Sequence, residues 1–227
     1  MTETEKIGTK SENKMNYYNV LFAQKHGECS DYFDALFAKA TTVSELPEGY
    51  KRVKSLTMDN DCYYEIEDFY LKGSDTMMFA CSIASSCNII GAYSGSSGGA
   101  NYSVYGTPSG GNYLRYYSDA YNSKFVTNKR YDITITPTGS HGMETESAWD
   151  ELEFTATKEF CIGTTSTTTT SAKMKGTFFG NIIVKDANGI RFKGVPCIRM
   201  ADNTVGYYDT VSETFYEPNG TPPTYTE

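Results

Sequence analysis

The sequence predicts a mostly β protein preceded by two short N-terminal α-helices. Three observations predict it: short apolar runs punctuated by turn residues towards the C-terminus, nineteen Tyr and twelve Phe among 227 residues, and a helical-period stripe that occurs twice before residue 45. Tyr and Phe favour strands because their rings pack well across a pleated surface. The chain therefore divides into residues 1–45, a helical repeat, and residues 46–227, one β domain of a size usual for a sandwich.

In the first part, Asn16-Tyr-Tyr-Asn-Val-Leu-Phe-Ala-Gln-Lys25 is echoed by Asp31-Tyr-Phe-Asp-Ala-Leu-Phe-Ala-Lys-Ala40. Tyr17, Tyr18, Leu21 and Phe22 form one apolar helical stripe, and Tyr32, Phe33, Leu36 and Phe37 form its copy. Gly27 separates the two, and Ser30 caps the second, with Asp31 and Asp34 in its first turn and Lys39 in its last. Helices this short are marginal in water, so both stripes need a surface to bury against. They fold onto each other or onto the β domain, or they dock into a larger assembly as an anchoring and oligomerisation segment.

In the β part, Leu56-Thr57, residues 62–66, residues 81–93 and Phe160-Cys-Ile-Gly163 read as strands. Phe179, Ile182, Ile183 and Val184 form a further apolar run, and Asp186-Ala-Asn-Gly189 is a hairpin turn of residues that tolerate positive φ. Ile190 and Phe192 alternate with Arg191 and Lys193, the period of a half-buried strand, and Pro196 is expected to break its ladder. Residues 198–200, 205–209 and 214–216, with turns between them, complete an antiparallel meander.

The phrase from Gly194-Val-Pro-Cys-Ile-Arg-Met200 through Val205-Gly-Tyr-Tyr-Asp209 to Thr214-Phe-Tyr216 resembles the C-terminal end of concanavalin-like, LamG-like jelly-roll modules of phages, prophages and gut Gram-positive bacteria. Leu46-Pro-Glu-Gly-Tyr50 is similar to the phrase that opens such modules, so the resemblance runs from Leu46 to Thr221. It implies a concanavalin-like jelly-roll β-sandwich. The middle of the chain departs from the family, and Thr221-Pro-Pro-Thr-Tyr-Thr-Glu227 replaces the usual glycine-rich end. The Tyr-Tyr and Leu-Phe-Ala-Lys phrases of the repeat resemble the leaders of phage structural proteins. Together these resemblances imply a virion surface protein of the head-fibre or decoration type, a homo-oligomer with a trimer among the options. Its partners would be capsid or tail proteins of the virion, and its lectin-like domain would face host-surface or mucus glycans. A tail receptor-binding protein and a bacterial glycan-binding adhesin are the alternatives, with a glycosidase behind them.

A net charge of −8 argues against a nucleic-acid partner, since phosphate backbones are bound by clustered Lys and Arg. The first residues carry charges and no apolar core of a secretory signal, and no apolar run approaches a membrane span, so synthesis in the host cytoplasm is expected, without membrane insertion. The six cysteines, among them Cys81, Cys161 and Cys197 within strand patterns, fit reduced, buried positions in that compartment. With two histidines in the chain and no paired Cys spacing, neither a metal nor another cofactor is expected.

Glu144, Glu146, Asp150, Glu151 and Glu153 gather around Trp149. Glu151 and Glu153 would alternate on one strand face about 6.5–7 Å apart, against the roughly 5–5.5 Å of a retaining glycosidase pair. Trp149-Asp-Glu-Leu-Glu-Phe154 also lacks the Glu, Asp, Glu order of laminarinase-like enzymes on the concanavalin-like fold, so binding rather than catalysis is expected. The glycine-rich residues 91–100 read as a hairpin loop. Beside that loop and the next, Asn101, Tyr102, Tyr105, Asn112 and Tyr113 combine rings with small polar side chains, a pairing suited to glycan contact. The same tyrosines also fit cross-strand packing within a sheet. Residues 164–170, rich in Thr, are expected to form an exposed loop.

Overall fold

Burial alternates with period 2 along Tyr131–Thr136 and much of Lys175–Asp186 in the computed structural model, which describes residues 45–59, 61–94, 99–167 and 172–227. The predicted helices, and with them the anchoring residues Tyr17 to Phe37, lie outside the described residues. Residues Leu46–Glu227 form one unit, mostly β as predicted, with no helix among the described residues.

Its strands are β1 (Tyr50–Arg52), β2 (Ser55–Asp59), β3 (Tyr64–Ile66), β4 (Thr76–Ile83), β5 (Cys87–Ala92), β6 (Asn101–Gly106), β7 (Asn112–Tyr117), β8 (Asp119–Asn122) and β9 (Tyr131–Thr136). They continue with β10 (Gly139–His141), β11 (Ser147–Ala148), β12 (Phe160–Ile162), β13 (Lys175–Asp186), β14 (Gly189–Arg199), β15 (Thr204–Asp209), β16 (Thr214–Tyr216) and β17 (Thr224–Thr226). Two antiparallel sheets result. The larger runs β11-β10-β9-β4-β13-β14-β15-β16, with β1 on β14 and β2 between β13 and β17; the smaller runs β3-β12-β5-β6-β7-β8.

One apolar core lies between the sheets. Met77, Phe79, Cys81 and Ile83 of β4 and Phe178, Ile182 and Val184 of β13 meet Ile89, Ile90, Tyr102, Val104 and Leu114 of the smaller sheet. The Tyr102 hydroxyl crosses the gap to donate to the carbonyls of Asp75 and Ile135 at 2.8 and 3.2 Å. Gly176 of β13 lies tight against β4, since a Cβ there would stand 2.1 Å from the Ser82 carbonyl oxygen.

The predicted C-terminal meander is β13 to β16, with two differences. β14 continues through Pro196, which pairs with Tyr207. Its pairing with β13 ends at Gly194 and that with β1 begins at Cys197, so the proline falls in the gap where its missing N–H has no ladder to serve, while its carbonyl accepts from Val53 N at 3.0 Å. Ile190 is exposed rather than inward, because a bulge at Val184/Lys185 shifts the register there. The Thr-rich connector also differs from expectation. Thr164, Thr165 and Ser166 are buried, pinned by Tyr93 N to the Thr165 carbonyl at 2.7 Å and Thr165 Oγ1 to Asn88 Oδ1 at 3.1 Å.

Candidate functional site

Of the residues predicted for glycan contact, Asn101 and Tyr102 serve the fold instead. Period 2 places them on opposite faces, but both are 0 % exposed. Asn101 accepts from Ser94 N at 2.8 Å and donates to Gly99 O at 2.9 Å, closing the loop between β5 and β6. Tyr102 points into the core, edge-on to Tyr116 at 5.7 Å, and burial pushes its phenol well above the ordinary range. Tyr105 lies half-buried on the outer face of β6. Asn112 and Tyr113 belong to the backbone of β7, and their side chains lie outside the described residues.

The predicted carboxylate pair is not on a strand. Residues 149–154 have no regular structure; they cross the open edge between β8 and β11. Trp149 stacks on Tyr116 at 4.9 Å and meets Tyr121 at 4.7 Å. Phe154 packs edge-on to Tyr116 at 5.1 Å, and Leu152 N donates to the Tyr116 hydroxyl at 3.2 Å. Glu144 is engaged by Lys129 at 2.7 Å and by the Tyr131 hydroxyl, and Glu146 by His141 at 3.4 Å. Another pair of carboxyls does come together, Glu65 of β3 and Glu159 before β12; burial and then the Glu159 charge raise Glu65 above its ordinary value. Glu159 also accepts from Asp68 N at 2.9 Å.

A concave feature with polar groups at its rim lies on the outer face of the larger sheet. Along β13 the register to β4 runs from Phe179↔Ala80 to Ile183↔Met78, four steps against two, so β13 carries two extra residues there. Gly180, at φ +67, makes the turn that admits them. Phe178 and Ile182 can then both face the core, while Phe179, Asn181 and Ile183 line the outer surface. The result is a groove of about 240 Å³ floored by Met78, Ala80, Phe179 and Ile183. Arg130 lies over the Phe179 ring at 5.0 Å and pairs with Asp132 at 2.8 Å, and Asn181 Oδ1 accepts from Arg52 at 2.8 Å. An apolar floor with a guanidinium, a carboxylate and an amide at its rim can hold the apolar face of a small polyhydroxylated group and hydrogen-bond its edge. The sequence signal for this site is the glycine inside an apolar strand run, which marks a bulge; which strands would supply the other wall is not written locally.

The five described cysteines, Cys62, Cys81, Cys87, Cys161 and Cys197, are free and buried. Burial pushes the thiols of Cys62, Cys161 and Cys197 up to about 12 and that of Cys87 to about 11, so they are protonated, poor nucleophiles. Among the described residues no group of three or more His, Cys, Asp or Glu side chains is placed to hold a metal ion. No protein-family model, curated protein or solved structure significantly matches this chain.

Proposed function

We propose that this chain is a phage virion-surface protein of the head-fibre or decoration type, in which a concanavalin-like jelly roll of residues 46–227 binds glycans and the repeat within residues 1–45 attaches it to the particle. The observation that carries this reading is the packing of the two phrases that resemble such modules. Leu46 is buried with Val195, Cys197 and Tyr208. Tyr50 packs on Tyr208 at 5.0 Å and on Phe215 at 5.3 Å, and Met200 N donates to the Gly49 carbonyl at 2.8 Å. The opening and closing phrases are thus one structural unit on the outside of the larger sheet, which fits a module inherited whole. The groove beside Phe179 is the seat for a sugar ring in this proposal, and display in many copies would convert a weak contact into avid attachment.

Immunogold microscopy of purified phage particles with an antibody against residues 46–227 tests the reading. Gold on capsids is the expected result. Gold confined to the tail tip would instead make the chain a tail receptor-binding protein, and particles without label, from cells shown to express the protein, would overturn the assignment to a virion.

A further inference from the structure

The edge closed by Trp149 carries a second surface that the glycan-binding proposal does not use. Tyr117 is 41 % exposed and Leu152 38 % exposed. They join through Phe154, whose ring lies 5.4 Å from that of Tyr117 and 5.1 Å from Tyr116, the ring whose hydroxyl accepts from Leu152 N. Half-buried Trp149 and Tyr121 extend the apolar area on the other side of Tyr116. Asp119, Asp150, Glu151 and Glu153 are all exposed around it. The first two raise the Tyr121 phenol after burial has done so, and Glu151 acts likewise on Tyr116, which places these carboxylates beside the rings. No ion pair or hydrogen bond engages any of the four among the described residues, in contrast to Glu144 and Glu146 a few residues earlier.

We propose that this aromatic, acid-rimmed edge docks a cationic segment of a partner protein, an extended stretch in which Lys or Arg alternates with apolar residues. Charge complementarity selects the occupant. Four unpaired carboxylates around the exposed Tyr117 ring and the half-buried Trp149 and Tyr121 rings favour ammonium or guanidinium groups, which gain both from the carboxylates and from the ring faces. The apolar residues of the segment would cover Tyr117 and Leu152. Tyr117 holds φ 56 at the first position of the tight β7–β8 turn, a conformation that L side chains other than Asn and Asp avoid. Replacing it by Gly removes the ring and relieves the backbone together, which separates a binding role from a folding one.

Trp149 is the one tryptophan of the chain, so its emission reports on this edge without a label. The full chain is titrated with the capped hexapeptide Lys-Leu-Arg-Leu-Lys-Leu, and separately with Glu-Leu-Glu-Leu-Glu-Leu. A saturable change in Trp149 emission with the basic peptide alone, weakened severalfold on moving from 0.1 to 0.5 M salt, is expected. The triple variant Asp150→Asn, Glu151→Gln, Glu153→Gln and the variant Tyr117→Gly should each bind at least tenfold more weakly, with melting temperatures at or above that of the parent. No saturable change in the parent, equal binding of the acidic peptide, or full affinity in the folded triple variant would overturn the proposal.

Discussion

Replacing Arg191 by Met should destabilise the β unit by about 3–5 kcal/mol, the usual cost of stripping one partner from a buried ion pair. Asp75 is 0 % exposed and its Oδ2 is held by Arg191 Nη1 and by Lys72 N at 2.7 Å, while Oδ1 has no hydrogen-bond partner. Arg191 also donates to the Tyr70 carbonyl at 3.1 Å and lies over the Phe69 ring at 4.8 Å. Burial outweighs these partners and raises the Asp75 carboxyl above its ordinary value. Without the guanidinium it would rise further. A carboxyl raised in the folded state stabilises when protonated, and that contribution is lost as pH climbs through the folded value. The variant should therefore lose more stability at pH 8 than at pH 5. At roughly 2–4 °C per kcal/mol for a domain of this size, the melting temperature at pH 7 should fall by about 6–20 °C. Thermal unfolding followed by circular dichroism across pH 5–8 measures it, and adding Asp75→Asn to the variant should restore at least half of the loss. A loss below about 1 kcal/mol, or one that is the same at both pH values, would refute the reasoning that Asp75 is a desolvated charge held by Arg191.

Three other outcomes follow from the same structure. Gly176→Ala should cost about 2–3 kcal/mol in denaturant unfolding, since its Cβ would meet the Ser82 carbonyl at 2.1 Å and β13 cannot retreat from β4 without disturbing the core; an unchanged midpoint would contradict that close approach. Glu65→Gln should raise the melting temperature at pH 7, where the Glu65–Glu159 pair is forced to share charge, and the gain should vanish near pH 4, where the parent carboxyl is already protonated. In a thiol titration with Ellman's reagent at pH 8, the five described cysteines should react only on unfolding, because each is buried and its thiol is raised; rapid native labelling of more than one of the six cysteines would contradict their burial.

The hairpins were legible because their chemistry is local. Asp186 to Gly189 specify a tight turn by themselves, and the Asp186 carboxylate accepts from Asn188 N at 2.7 Å within it. Faces and contacts were less legible. Period 2 says that Asn101 and Tyr102 point to opposite sides, yet it does not say that Ser94, Gly99 and Tyr117 engage one of them and that the other enters the core. Pro196 looked like a breaker because the sequence does not show that two different strands, β13 and β1, share one flank of β14 and leave a gap between them. Glu151 and Glu153 looked like a strand face because alternation in an irregular closing segment is indistinguishable from a ladder until Tyr116 is seen anchoring Leu152. The groove was least legible of all: Phe179 and Asn181 come from β13, Met78 from β4 and Arg130 from the approach to β9, and only the register makes them neighbours.

The β1–β2 segment is laddered into the larger sheet along both its strands, β1 against one neighbour and β2 between two. β1 is paired to β14, β2 is paired to β13 and β17, and at the joint between them Val53 N donates to Pro196, Lys54 N to Thr226, and Gly180 N to Lys54. A tether pulling on residue 46 along the strand axis would load these antiparallel ladders in shear, several hydrogen bonds at a time, instead of peeling them one by one. Forced unfolding is governed by the height of the unfolding barrier, not by equilibrium stability. A domain held by its N-terminal side against flow would thus meet force through ladders that must slip rather than unzip.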